Sequence, residues 1–460
     1  MNLPDCIEPA DPSAATPILA VRADALEATL AALQPDARAW VQANGFAARP
    51  DTWIAVPDGQ GGIALVLAGI EDAADPRALS ALPNALPEGR YALHPALGER
   101  IAPGHALLGW GLGAYRFTRY LKAPRAPATL VLDPAADLGE SAALLEACTR
   151  VRDLVNTPTQ DLGPEELEAA ARALAQRHGA QLRVVKGEDL LRENFPAIHA
   201  VGRASHRAPR LIELTWGDPS HPRLALVGKG VCFDTGGLDL KPSDGMRNMK
   251  KDMGGGAHAI SLAGLVMARR LPVRLSLLVP AVENAVGPEA YRPGEVIATR
   301  KGLSVEIDNT DAEGRVILCD ALAYAAEGQP DLILDFATLT GAARIALGPD
   351  LPVLFANDEA LAARWIEAGE AERDPVWRLP LWRPYLRYLD STIADLANAG
   401  SRMAGAVTAA LYLEKFIPEG QRWAHLDVYS WNDADRPGRP RGGEAMALRS
   451  VFAMLKARYG

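Results

Sequence analysis

Apolar residues in this chain change their spacing from stretch to stretch, and the spacing marks the elements. Short apolar runs at 63–67 (IALVL) and Thr129–Leu132 fit strands, and the spacing over 25–33 fits a helix. The segment 124–127 (PRAP) reads as an edge of this first region. Over 140–155, Leu144, Leu145, Cys148, Val151, Leu154 and Val155 recur at helical spacing, which places there a helix able to join two domains. After Pro158 strands and helices alternate. Helices are predicted at Pro164–His178, 258–270, 316–327 and 406–416, the first opening with a helix-favouring Pro-Glu-Glu. Strands are predicted at 211–214, 224–227, 273–279, 332–336 and 424–428. Such alternation implies an α/β fold with a mainly parallel sheet, whose ligands sit beyond the carboxyl ends of the strands.

Composition narrows the class. A length of 460 residues favours two or three domains, and 48% hydrophobic with 23% charged residues is ordinary for a folded globular chain. The net charge of −9, with no long Lys/Arg run, disfavours nucleic acid and anionic membranes as partners. Cys6, Cys148, Cys232 and Cys319 lie far apart with no CxxC pair, which fits a reducing compartment rather than a disulfide framework. The amino end carries Asp5, Glu8 and Asp11 where a secretory signal would place positive charge, and the apolar stretch 260–268 is too short to span a bilayer. A cytoplasmic protein is expected. No internal repeat or low-complexity tail appears.

Four polar clusters follow predicted strands or open predicted helices. Lys229 and Asp234 leave an apolar strand within the Gly-rich turn 227–237 (VGKGVCFDTGG), and Lys241 follows seven residues past Asp234. Asp252 precedes an apolar helix in 251–256 (KDMGGG), and 309–315 (NTDAEGR) holds Asp311, Glu313 and Arg315. Singly, Asp252 and Asp311 read as well as helix caps, and the lysines as solvated charges. A Gly-rich turn also suits phosphate, but neither G-x-x-x-x-G-K-[ST] nor G-x-G-x-x-G stands at the right place. Together, Asp234, Asp252, Asp311 and Glu313 suit a pair of divalent cations, whose charge would offset theirs and lower the cost of burial. His258 is the one histidine near these clusters, and a lone histidine on a Gly-rich helix is more often packed than a ligand.

The stretch NTDAEGR resembles the signature of the leucyl aminopeptidase (M17, cytosol aminopeptidase) family. GKGVCFDTGGLDLK (228–241) and KDMGGGA (251–257) match that family's other two metal-site segments in the same order. RDLVNTP (152–158), ENAVGPEAYRPG (283–294), ATLTGA (337–342) and 398–410 are similar to further family segments, so the likeness covers roughly residues 108 to 428. It implies a two-domain α/β subunit: a smaller amino-terminal domain at 1–135, a linking helix within 136–160, and a catalytic domain at 161–460 with a mostly parallel sheet flanked by helices. It also implies a homohexamer with active sites facing an interior cavity.

Carried over residue by residue, the resemblance makes Lys229, Asp234, Asp252 and Glu313 ligands of one metal. Asp234, Asp311 and Glu313 hold the second, so that Asp234 and Glu313 bridge. Lys229 would have to be neutral. Lys241 would polarise the scissile carbonyl, and Arg315 would hold a bicarbonate-like anion that moves a proton. The ions would be Mn²⁺ or Zn²⁺, with Co²⁺ or Mg²⁺ as alternatives. A metal-bridging water would hydrolyse the first residue from peptides and dipeptides, the free α-amine resting on one metal. Met249, Thr338, Leu339 and Gly341 match positions lining the pocket for the departing residue, although Met249 reads equally as core filler. The sequence departs from the common family pattern at 429–431 (YSW) and 441–446 (RGGEAM), which leaves the preferred first residue open.

Three other readings compete. Two-metal carboxylate sites also serve phosphatases and nucleases, but those usually mix in histidines and gather more cations. A regulatory, DNA-binding role would need a basic stripe that the acidic balance does not offer. A catalytically dead scaffold is disfavoured because every expected ligand is present.

Overall fold

The strand Leu332–Ala337 is buried at all six positions, as its apolar run, broken only by Asp335, requires of a strand covered on both faces. It lies at the centre of the larger of two compact units in the computed structural model, which describes residues 3–460. The smaller unit comprises the chain up to Thr149 together with Asp433–Arg441, and the larger one Arg150–Asn432 with Gly442–Gly460. The chain crosses between them inside the helix Gly139–Asn156, where helical spacing was read from sequence.

In the smaller unit six strands form one sheet, in the order Ile7–Pro9, Thr129–Leu132, Arg90–Leu93, Thr16–Val21, Ile63–Gly69, Trp53–Pro57. All neighbours are parallel except the last pair. Because Thr129–Leu132 pairs inside this sheet, the Pro-rich segment 124–127 is a connection within the unit and not its edge.

The larger unit carries a nine-stranded sheet. Its centre runs Trp423–Asp427, Leu332–Ala337, Arg223–Gly228, Arg274–Asn284, all parallel, as the strand–helix alternation predicts. Val353–Ala356 on one side and Arg210–Trp216 on the other run antiparallel to this centre. Ala225, Val227, Ile333 and Ala337 join a core with Val316, Ile317 and Leu322 of the helix Glu313–Glu327. Alternation then turns Leu224 and Leu226, both fully buried, to the opposite layer.

The helix Gly254–Ala268 begins four residues earlier than its apolar spacing suggests, taking in the glycine run. Propensity alone argues against three helical glycines in a row. Packing overrides it: a Cβ on Gly228 would come within 2.7 Å of Ala259 Cβ and of the Gly255 carbonyl. Helix and strand can approach this closely only without side chains. The four cysteines are free and buried, and among the described residues no helix is long and apolar enough to cross a membrane.

Candidate metal centre

The parallel strands end where the polar clusters begin. Lys229 follows Arg223–Gly228, Asp234 ends the strand Gly230–Asp234, and Thr338 and Leu339 follow Leu332–Ala337. The connections bring Asp252, in the short 3₁₀ turn Met249–Met253, and Glu313, the first residue of its helix. Neither acidic cluster caps a helix, since the helices at Gly254 and Glu313 have Met253 and Ala312 as N-caps without side-chain cap bonds.

Four carboxylates and two lysines meet here. Lys229 Nζ lies 2.8 Å from Asp252 Oδ2 and 2.8 Å from Glu313 Oε1, and donates to the Thr338 carbonyl at 2.9 Å, which uses all three of its protons. Lys241 Nζ lies 2.8 Å from Asp234 Oδ2 and also pairs with Asp311. Carboxylate oxygens of Asp234, Asp252 and Glu313 fall within 4.8 Å of one another, near enough to share one ion. Lys229, Asp234, Asp252 and Glu313 are each at most 3% exposed.

Crowded buried carboxylates strain the charge balance. Burial and then Asp234 push Glu313 well above the usual carboxylate range, against the pull of Lys229. Burial and Asp234 push Asp311 up to about 6 despite Lys241. Burial disfavours the charge on both lysines, but the surrounding carboxylates outweigh it and hold both above the ordinary lysine value. Two ammonium groups thus leave excess negative charge in a water-poor site, and divalent cations on oxygen donors fit what remains. Gly314 makes room for this arrangement, because a Cβ there would come within 2.5 Å of Lys229 Cε and 2.7 Å of Nζ.

Backbone and polar bonds hold the clusters in register. Gly236 and Gly237 adopt left-handed φ of 87° and 67°, turning the chain back after Asp234. Asp234 Oδ1 accepts from Gly236 N and from Asn284 Nδ2, each at 2.8 Å. The Thr310 hydroxyl donates to the Gly236 carbonyl at 2.6 Å and accepts from Asp239 N at 2.9 Å, while Thr310 N donates to Asp239 Oδ2 at 2.7 Å. These bonds stitch the loop carrying Lys241 to the turn carrying Asp311. The Thr338 hydroxyl sits 2.9 Å from Asp252 Oδ1, so the strand end also orients that carboxylate.

Met249, Thr338, Leu339 and Gly341 all line one cleft with the cluster. Sequence reasoning did not single out Lys251 or Arg344, which line it too, nor the part played by Asp427. Asp427 Oδ1 accepts from Leu339 N at 3.0 Å and Oδ2 from the Thr340 hydroxyl at 2.7 Å, fixing the 338–341 segment. Its signal was the position at the end of the strand Trp423–Asp427, beside Leu332–Ala337. Arg315 is buried but does not line the cleft; its Nη1 donates to the Asn398 carbonyl at 2.8 Å. His258 is packed, as its setting suggests: Nδ1 lies 2.7 Å from the Gly254 carbonyl and Nε2 accepts from Met446 N at 2.9 Å.

Comparison with known proteins points the same way as the geometry. Residues 149–452 match the catalytic-domain model of the cytosol aminopeptidase family, and residues 16–133 match the M17 aminopeptidase N-terminal domain. A probable cytosol aminopeptidase of Syntrophotalea carbinolica is 42% identical over 75% of this chain and 73% of its own length. One of Caulobacter vibrioides is 38% identical over 93% of this chain and 94% of its own. The crystal structure of the cytosol aminopeptidase from Coxiella burnetii superposes with a TM-score of 0.96 at 47% identity, covering 99% of this chain and all 100% of that one. The bottromycin maturation enzyme BotP in complex with Mn superposes at 0.87 with 33% identity, over 97% of this chain and 100% of that one.

Proposed function

The chain belongs to the cytosol aminopeptidase (M17) family, and from that premise we propose that it holds two divalent cations in the carboxylate cluster and releases the first residue of peptides and dipeptides. The observation that carries this reading is the meeting of Asp234, Asp252, Asp311 and Glu313 with Lys229 and Lys241 at the carboxyl ends of a parallel sheet. Lys229, Asp234, Asp252 and Glu313 would hold one ion, and Asp234, Asp311 and Glu313 the other. The same donors accept Mn²⁺, Zn²⁺, Co²⁺ or Mg²⁺, and the manganese complex of the similar BotP favours the first. Two dications bound there polarise a carbonyl and make a strong nucleophile of water near neutral pH.

The protein groups then have separate tasks. As a metal ligand Lys229 would have to be neutral and offer its lone pair, so metal uptake should tighten as pH rises. Lys241 pairs with Asp234 and Asp311, and with cations held by those carboxylates its ammonium would be the group placed to steady a developing oxyanion. Lys241→Met should lower kcat by roughly 10²–10³-fold, the loss that follows removal of one oriented oxyanion donor. Metal content per chain, measured by atomic emission, should stay as in the wild type. The family likeness, and not the lining of the cleft, is what supports assigning to Arg315 a bicarbonate-like anion that would carry a proton away. Met249, Thr338, Leu339 and Gly341 would receive the first side chain.

The direct test compares Leu-Gly-Gly with its N-acetyl form. The free peptide should lose leucine and the acetylated one should stay intact; equal cleavage contradicts the reading. Because the amine must arrive unprotonated, kcat/KM should climb from neutral pH toward about 8, near the ordinary α-amine pKa. A flat or acid-favouring profile would count against it. We further propose a cytoplasmic homohexamer, and light scattering that returns a monomer at micromolar concentration would overturn that assembly.

A further inference from the structure

Two further cations line the cleft, and both rest on one aromatic ring. Arg344 Cζ lies 4.7 Å from the centroid of the Tyr429 ring, and Lys251 Nζ lies 5.2 Å from it. Both residues line the cleft, and Tyr429 lies between the strand end at Asp427 and the buried Ser430. Lys229 and Lys241, by contrast, are taken up by the four carboxylates. The fifth lining carboxylate, Asp427, is turned onto the 339–340 backbone and the Thr340 hydroxyl. Once dications balance the cluster, Lys251 and Arg344 leave the cleft positive.

A guanidinium lying over a ring keeps its N–H edge free for a planar oxyanion, and the ring fixes its orientation. Arg344 also sits one helical turn past Gly341, on the same face of the helix Gly341–Leu347. Gly341 belongs to the wall assigned above to the departing side chain. We propose that Arg344, seated on Tyr429 and backed by Lys251, is a specificity-determining residue that binds a carboxylate of the substrate. That carboxylate belongs either to an acidic first residue or to the free carboxyl end of a short peptide. The inference rests on the aminopeptidase reading and narrows its substrate class.

Steady-state kinetics of the metal-loaded wild type and Arg344→Gln separate the two sources. One arm takes the kcat/KM ratio of glutamyl to leucyl anilide, and the other the ratio of Leu-Gly to Leu-Gly amide. Arg344→Gln should lower at least one ratio tenfold or more, through a raised KM for the carboxylate substrate, and Arg344→Lys should restore part of it. The arm that moves names the source. If neither ratio moves while leucyl anilide is still turned over, the proposal falls and the aminopeptidase reading stands. Loss of turnover on every substrate in folded Arg344→Gln also overturns it, because the residue would then serve the reaction and not selectivity. A wild type that cleaves no anilide or dipeptide with any metal removes the underlying reading itself.

Discussion

Glu313→Ala should abolish turnover and strip metal from the protein. Its carboxylate stands between the two halves of the cluster, 2.8 Å from Lys229 Nζ and within 4.8 Å of the Asp234 and Asp252 oxygens. No other residue in the proposed donor set is both at the head of a helix and shared between the ions. A metal's Lewis-acid contribution amounts to several kcal/mol, and at about 1.4 kcal/mol per decade its loss lowers kcat/KM by roughly 10³-fold or more. Emission spectroscopy should find less than the wild-type metal content. Full metal content with full activity would show that Glu313 is a structural acid and that the ion site lies elsewhere.

The second large effect falls on folding. Gly255→Ala replaces a poor helix former by the best one, a change worth about 1 kcal/mol of added stability in an open helix. Here the new Cβ would run into the Phe336 carbonyl and lie 2.7 Å from Ala337 Cα. Neither is the yielding end of a side chain, so the helix must move away from the sheet. Overpacking of this kind costs about 1–3 kcal/mol and sometimes more, enough to reverse the propensity gain. The same Phe336 carbonyl accepts from Lys229 N, so displacement also disturbs the centre. Thermal unfolding of metal-free protein should show a clear loss for Gly255→Ala. It should show none for Gly245→Ala, whose Cβ meets only Pro242 ring atoms at 3.5 and 3.6 Å. A Gly255→Ala protein that melts like the wild type would refute the account of the glycine run.

The parallel centre of the large sheet was legible because buried strands such as Leu332–Ala337 and Arg223–Gly228 are nearly continuous apolar runs. The strand Gln181–Lys186 was not, since it packs at an edge and buries one residue of six. The helix Pro103–Ala114 (PGHALLGWGLGA) also escaped the spacing analysis. Its four glycines argue against a helix by propensity, and burial of seven residues around Trp110 offsets that. At the site, each acidic cluster announced itself by a carboxylate within two residues of a glycine at a strand or helix end. The cation pair on Tyr429 gave no such sign, because Lys251, Arg344 and Tyr429 come from a 3₁₀ turn, a short helix and a strand end far apart in sequence and meet only in the folded cleft. Adjacent polar residues can be read as a motif, whereas side chains gathered from distant loops cannot.

The proposed role of this cluster is that of a two-metal hydrolytic centre. Its most direct test is to strip the protein with chelator and titrate it with Mn²⁺, following bound metal and leucyl anilide hydrolysis together. The stripped protein should show no turnover, activity should return with added metal, and binding should saturate near two ions per chain. Turnover that persists unchanged in chelator, or saturates with no metal bound, would contradict that role.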